Sequence, residues 1–248
     1  MKTIALVIVL LFILLFWQDR DRTRGGIWLA IGIILKPYVA VLFLYLVIKR
    51  HWRGIGLTLI TLAALSLLSL IAFGWTTFIS YFTSNPTSKL PPWFFTELDK
   101  GNLYAMIWRL IEKFLGESFL GLVLPIFIGI SLVLTLVTVW LINQLISVHD
   151  EWALATVLSL ALFLYPNTGT NYYVTLIAPI FLLWNYKEKM PGGGWSLSIF
   201  MALEAAFFAY QRGWSNFVFL GMALGWLALF GFGIVLLMQK RIHQHNIS

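Results

Sequence analysis

Lys36 stands beside Pro37 in the middle of an otherwise apolar run, Ile27–Ile48. A lysine at bilayer mid-depth costs roughly 2.5–3.5 kcal/mol on insertion scales, so it marks a site that uses its charge. Pro37 removes a helix hydrogen bond and kinks or breaks the helix there. Nine residues, Ile27–Leu35, precede the lysine. At ~1.5 Å per residue they reach about half of a ~30 Å hydrocarbon core. Arg20, Arg22 and Arg24 lie before the run and Lys49, Arg50 and Arg53 after it. Basic clusters mark cytoplasmic ends, so both ends are expected on one side. The expected element is a re-entrant helical hairpin holding one ammonium near its tip. The chemistry that suits it is binding of an anion such as a lipid-linked phosphate. The alternative is pairing with a carboxylate, for which Glu204 is the acid within an apolar segment.

A second cation lies further along, in Leu103–Leu115. At about 100° per residue Asn102, Arg109 and Lys113 share one face, with Glu112 beside them. Leu103, Ile107, Leu110 and Phe114 share the other. This pattern predicts an interfacial amphipathic helix over 102–115, within an outer loop spanning 79–117. The planar guanidinium of Arg109 suits phosphate oxygens. A polar break at Asn167–Tyr173 offers amides, hydroxyls and phenols. Of these, Asn171, Tyr172 and Tyr173, together with Asn102, are candidates for a sugar or acceptor. Transfer to a hydroxyl is helped by a carboxylate that takes its proton. Glu97 and Asp99 are the weak candidates for that base; both types are common as solvated loop charges.

Composition bounds the rest. The chain has 248 residues, 60% of them hydrophobic and 11% charged, against about 25% charged in a soluble domain. That places it in the membrane, in the cell membrane as a multi-pass protein. There is no cysteine, which excludes disulfides, thiol catalysis and cysteine-ligated clusters. The four histidines show no metal-ligand spacing, so neither metal nor cofactor is expected. The formal charge of +7 gathers at segment ends, where it sets topology, and calls for no nucleic acid.

The elements that position these residues follow from hydropathy and charge. The expected fold class is all-α: a polytopic transmembrane bundle, one domain over 1–248. Thr3–Trp17 enters, Gly54–Phe78 leads outward, and Phe119–Ile146 returns. Trp152–Tyr165 and Thr175–Trp184 form a second broken hairpin around Pro166–Asn171. Trp195–Tyr210 and Phe217–Met238 follow, then a basic tail, Gln239–Asn246. Non-helical backbone at membrane depth survives only where it lines a cavity or is buried. The tips of the two hairpins are therefore expected to meet beneath one outward-facing cavity. The first span begins almost at Met1, which suggests a missing N-terminal segment or subunit.

Arg24–Gly54, RGGIWLAIGIILKPYVAVLFLYLVIKRHWRG, resembles the Lys-Pro segment of the polyprenyl-phosphate-sugar-dependent membrane glycosyltransferases of family 87. Asn102–Arg109, NLYAMIWR, is similar to that family's Asn-to-Arg segment, and LYPNTGTNYYVTLIAP at Leu164–Pro179 occupies the place of its Pro-polar-aromatic one. The resemblance covers residues 20–185. It implies a GT-C fold and transfer of a hexose, often mannose, from a polyprenyl-phosphate donor to a lipid or glycan acceptor on the extracytoplasmic face. Lys36, Asn102 and Arg109 carry over by position, Tyr172 and Tyr173 by a looser match, and the donor phosphate is expected against Lys36 and Arg109. It also implies a catalytic aspartate in a first outer loop that has no counterpart here. The expectation is then either that the chain is the C-terminal portion of a larger enzyme, inactive as a fragment unless Glu97 or Asp99 supplies the base, or that it has lost the chemistry. The rival reading is a non-catalytic lipid-phosphate-binding subunit, accessory or flippase-like, with the same lysine.

Overall fold

In the computed structural model, residues 2–83, 102–166, 170–186 and 220–245 are described, and every regular element among them is helical. Glu97, Asp99 and Glu204, and the expected helix Trp195–Tyr210, lie outside the described residues.

Helix α1, Lys2–Gln18, is followed by a short polar turn and α2, Gly25–Leu35. α2 stops at Lys36, whose backbone is extended (φ −150°, ψ 112°), because Pro37 cannot donate the next hydrogen bond. A 3-10 turn, Pro37–Val41, then leads into α3, Leu42–Ile48. The two arms end together. Lys49, just past α3, bonds Asp21, just before α2, at 2.7 Å. Gly26 at the start of α2 lies against Gly54 and Thr58 of α4, Trp52–Thr83. A Cβ on Gly26 would fall 2.4 Å from the Gly54 carbonyl oxygen, so only glycine permits this approach. The chain therefore reverses at Lys36, as its flanking charges predict.

α4 is longer than expected, running to Thr83, with non-helical dihedrals at Gly74 (φ 78°, ψ 163°) that glycine tolerates and other residues rarely do. Beyond its first turns it is largely uncovered: Ile71 and Phe73 are 73% and 68% exposed. Helix α5 is Leu103–Phe114, a 3-10 turn covers Glu117–Leu122, and α6 is Val123–Leu145. Trp52–Ser80 and Glu117–Leu145 are long and apolar enough to cross a membrane.

The core forms around α7, Asp150–Leu164, in which every residue from Trp152 to Phe163 is buried. The Trp152 indole N–H donates to the Leu229 carbonyl of α9, Leu220–His245, at 3.0 Å. α7 ends at Tyr165, the 3-10 segment Thr170–Leu176 follows, and α8, Ile177–Tyr186, returns. Trp17 at the end of α1 meets Phe181 of α8 edge-on at 5.7 Å, which brings α8 back toward the end where α7 began. The last helix runs past its expected end at Met238 into the basic tail: α9 continues to His245, and Lys240 donates to the Gln144 carbonyl at 2.8 Å. Strong helix formers in Gln-Lys-Arg-Ile and that C-terminal anchor carry the helix on.

Charges bind the base of the molecule. Asp150 accepts from Arg20 at 2.6 Å, from Lys49 at 3.0 Å and from the Tyr45 hydroxyl at 2.6 Å. Arg20 also reaches Glu151 at 3.1 Å. One carboxylate thus joins the turn after α1, the end of the first hairpin and the start of the second. Asp19, in the same turn, accepts from Arg24 at 2.7 Å and Trp28 at 3.0 Å. The Arg24 hydrogen bond, against the opposing effect of burial, holds its carboxyl below the ordinary value. That pairing is complete above pH 3.8 and is lost only as pH falls through the lowered value.

His149 caps α7 without a side-chain cap bond. Burial first, then the nearby Lys240 ammonium, lower its imidazole from the ordinary 6.5. The unfolded chain therefore binds more protons below pH 6.5, and the folded chain loses stability as pH drops through that value. Melting in detergent micelles is expected at a lower temperature at about pH 5.5 than at about pH 7.5, with the gap narrowed in His149→Gln.

Candidate active site

The tips of the two hairpins meet at Lys36. Its Nζ donates to the Tyr172 hydroxyl at 3.2 Å and lies 5.3 Å from the centre of the Tyr172 ring. The extended backbone at Lys36, imposed by Pro37, ends α2 and frees the side chain from the helix stack. Both Lys36 and Tyr172 are half-buried. The ammonium sits beyond the hydroxyl rather than over the ring face, so the phenol oxygen is what offsets part of the cost of a half-buried lysine.

Two further tyrosines complete an aromatic cluster that pattern reading does not single out. Tyr38 lies 5.7 Å from Tyr165 and 5.6 Å from Tyr172, and Tyr165 lies 5.9 Å from Tyr172, ring centre to ring centre. Each comes from the break of a hairpin, or one turn from it. The available signal is the residue type: a phenol deep in an apolar segment needs a polar partner.

Asn102 is wholly buried, and its polar atoms face the protein. Its Oδ1 accepts from the Ala105 amide at 2.9 Å, capping α5, and its Nδ2 donates to the Pro166 carbonyl at 2.8 Å. It therefore clamps α5 to the break of the second hairpin rather than sharing a polar face with Arg109. Asn102→Ala removes both bonds and is expected to cost about 2 kcal/mol. Loss of amide-exchange protection in 103–108 before global unfolding would show it.

α5 is amphipathic as expected, but its buried stripe is Leu103, Tyr104, Ile107 and Ile111. Leu110 and Phe114, expected on that stripe, are 43% and 71% exposed. The Tyr104 ring meets Phe127 of α6 edge-on at 5.3 Å, which turns the stripe toward α6. Arg109 is half-buried on this helix, and Lys113 is exposed. The backbone at Asn171 and Tyr173 belongs to the 3-10 segment with Tyr172; their side chains are outside the described residues.

An apolar groove of about 680 Å³ runs beside the Lys-Pro break, between α2 and α4. Ile33, Ile34, Pro37, Leu62 and Phe73 line it, with Ser66, Ser69 and Thr77 as its polar edge. Among the described residues no cluster of His, Asp and Glu has metal-binding geometry.

The arrangement suits an amphiphile with an anionic head: a cation at a backbone break, phenols around it and an apolar channel alongside. No curated protein and no solved structure gives a significant match. A model of glycosyltransferase family 87 matches residues 2–166, which takes in α1, both arms of the first hairpin, α5 and all of α7. That match spans well over half of the 248 residues, so the chain belongs to glycosyltransferase family 87 and its chemistry is glycosyl transfer.

Proposed function

We propose that the chain is a polytopic cell-membrane glycosyltransferase of GT-C type that moves a hexose, mannose in the first instance, from a polyprenyl-phosphate donor. The acceptor is a lipid or glycan on the extracytoplasmic face. The observation that carries this reading is Lys36 at the reversal point of one hairpin, 3.2 Å from a phenol at the break of another. A phosphate leaving group is already an anion, so a fixed cation stabilises it without a general acid. Arg109 supplies a second cation from α5. The groove lined by Ile33, Ile34 and Pro37 has the apolar character a prenyl chain needs. The base comes from Glu97, Asp99 or an acidic loop on another segment.

The test is transfer of radiolabel in proteoliposomes from polyprenyl-phosphate mannose, or from a nucleotide sugar, to a glycolipid. The expected result is transfer from the phosphate-linked donor only, abolished by Lys36→Met. Transfer by the chain alone that is lost in Asp99→Asn or Glu97→Gln would locate the base in residues 84–101. Transfer that appears only with an added acidic-loop segment would locate it there. Equal use of a nucleotide sugar, or full activity of Lys36→Met, would overturn the proposal.

A further inference from the structure

We propose that the Tyr172 hydroxyl is a second hydrogen-bond donor to the donor lipid's phosphate, working beside the Lys36 ammonium; this rests on the phosphate reading of Lys36. A hydroxyl has one proton to give and two lone pairs to accept with. The Tyr172 oxygen accepts from Lys36 Nζ at 3.2 Å, so its own O–H points away from that ammonium. An acceptor seated against the ammonium is within reach of this O–H as well. The group that satisfies both this O–H and the remaining N–H bonds of Lys36 is a single anion placed against the pair. A hydroxyl that already accepts from an ammonium is polarised and donates more strongly. A sugar hydroxyl is a poorer fit, because it brings a proton of its own to a site crowded with donors.

The ring contributes separately. Tyr38 and Tyr165 pack around Tyr172, and the 3-10 segment holds its backbone, so the hydroxyl is fixed before any ligand arrives. A donor held in place costs little ordering on binding.

The experiment measures binding of farnesyl phosphate, farnesol and inorganic phosphate to the full chain in detergent micelles. The proteins are wild type, Tyr172→Phe, Lys36→Met and the double variant. Tyr172→Phe keeps the ring and removes one donor. It is expected to weaken farnesyl phosphate about tenfold or more, the scale of a charge-assisted hydrogen bond, and to leave farnesol unchanged. If both donors hold one phosphate, the double variant loses less than the product of the single losses. Competition by inorganic phosphate, weakened equally by Tyr172→Phe, would show that the head group alone is read. Its failure to compete, with the farnesyl phosphate effect intact, would assign the site to the lipid. Unchanged farnesyl phosphate affinity in Tyr172→Phe, with loss in Lys36→Met, would overturn the Tyr172 role and leave the lysine site standing. Unchanged affinity in both would overturn the lysine site itself. An equal fall for farnesol in Tyr172→Phe would assign Tyr172 to packing and overturn its role as donor.

Discussion

Lys36→Met is expected to weaken binding of a polyprenyl-phosphate hexose by about 10–150-fold, the range for losing a hydrogen bond to a charged group. Methionine has nearly the same length and no charge, so the protein is expected to insert and purify normally. It is also expected to melt no lower than wild type, because a charge leaves a half-buried position. Lys36→Arg keeps the charge and is expected to retain part of the affinity, within roughly tenfold, since the fork has a different reach. Equilibrium binding of radiolabelled donor to protein in nanodiscs measures all three. Wild-type affinity in Lys36→Met would make the lysine structural, held by Tyr172 for its own sake.

Asp150→Ala is expected to be the most destabilising single change at the base. It takes one carboxylate from Arg20, which keeps Glu151, and one from Lys49, which keeps Asp21, and it leaves the Tyr45 hydroxyl without its acceptor. Three lost bonds at a part-buried carboxylate, with both cations keeping a second partner, cost about 2 kcal/mol, which lowers the melting temperature of a chain this size by about 4–8 °C. Asp150→Asn, which still accepts from Tyr45, is expected to lose roughly half as much. Asp21 is the control: it is 69% exposed, so Asp21→Ala is expected to change stability by less than about 1 kcal/mol. Thermal melts followed by circular dichroism in one detergent compare the three. Equal shifts for Asp150→Ala and Asp21→Ala would show that the Asp150 contacts contribute no more than surface pairs.

The hairpin at Lys36 was legible because its signals are local. Proline removes a donor wherever it stands, and basic residues on both sides of a half-length segment leave one topology. The start of α5 was legible for the same reason, since Asn102 precedes an apolar repeat. What Asn102 does with its other end was not, because Pro166 lies 64 residues away. The charges at Arg20 and Lys49 were read as topology markers alone. Their partner, Asp150, is 130 and 101 residues distant, and nothing in a local pattern links them. The extra turns of α9 were hidden by polarity, which resembles a tail until Lys240 finds a carbonyl on α6. Leu110 and Phe114 were misplaced because periodicity gives the width of an apolar stripe and leaves open which edge a neighbour covers.

The contact between Lys36 and Tyr172 joins residues 136 positions apart. At about 5–20 residues per second, a ribosome takes roughly 7–27 seconds to travel from one to the other. Through that interval the first hairpin is made and its lysine has no phenol to rest on. A charged tip in hydrocarbon draws in water and lipid head groups during such a wait. The first hairpin therefore has to form with its lysine unsupported by Tyr172, and the second hairpin brings that oxygen to it only after residue 172 has been made.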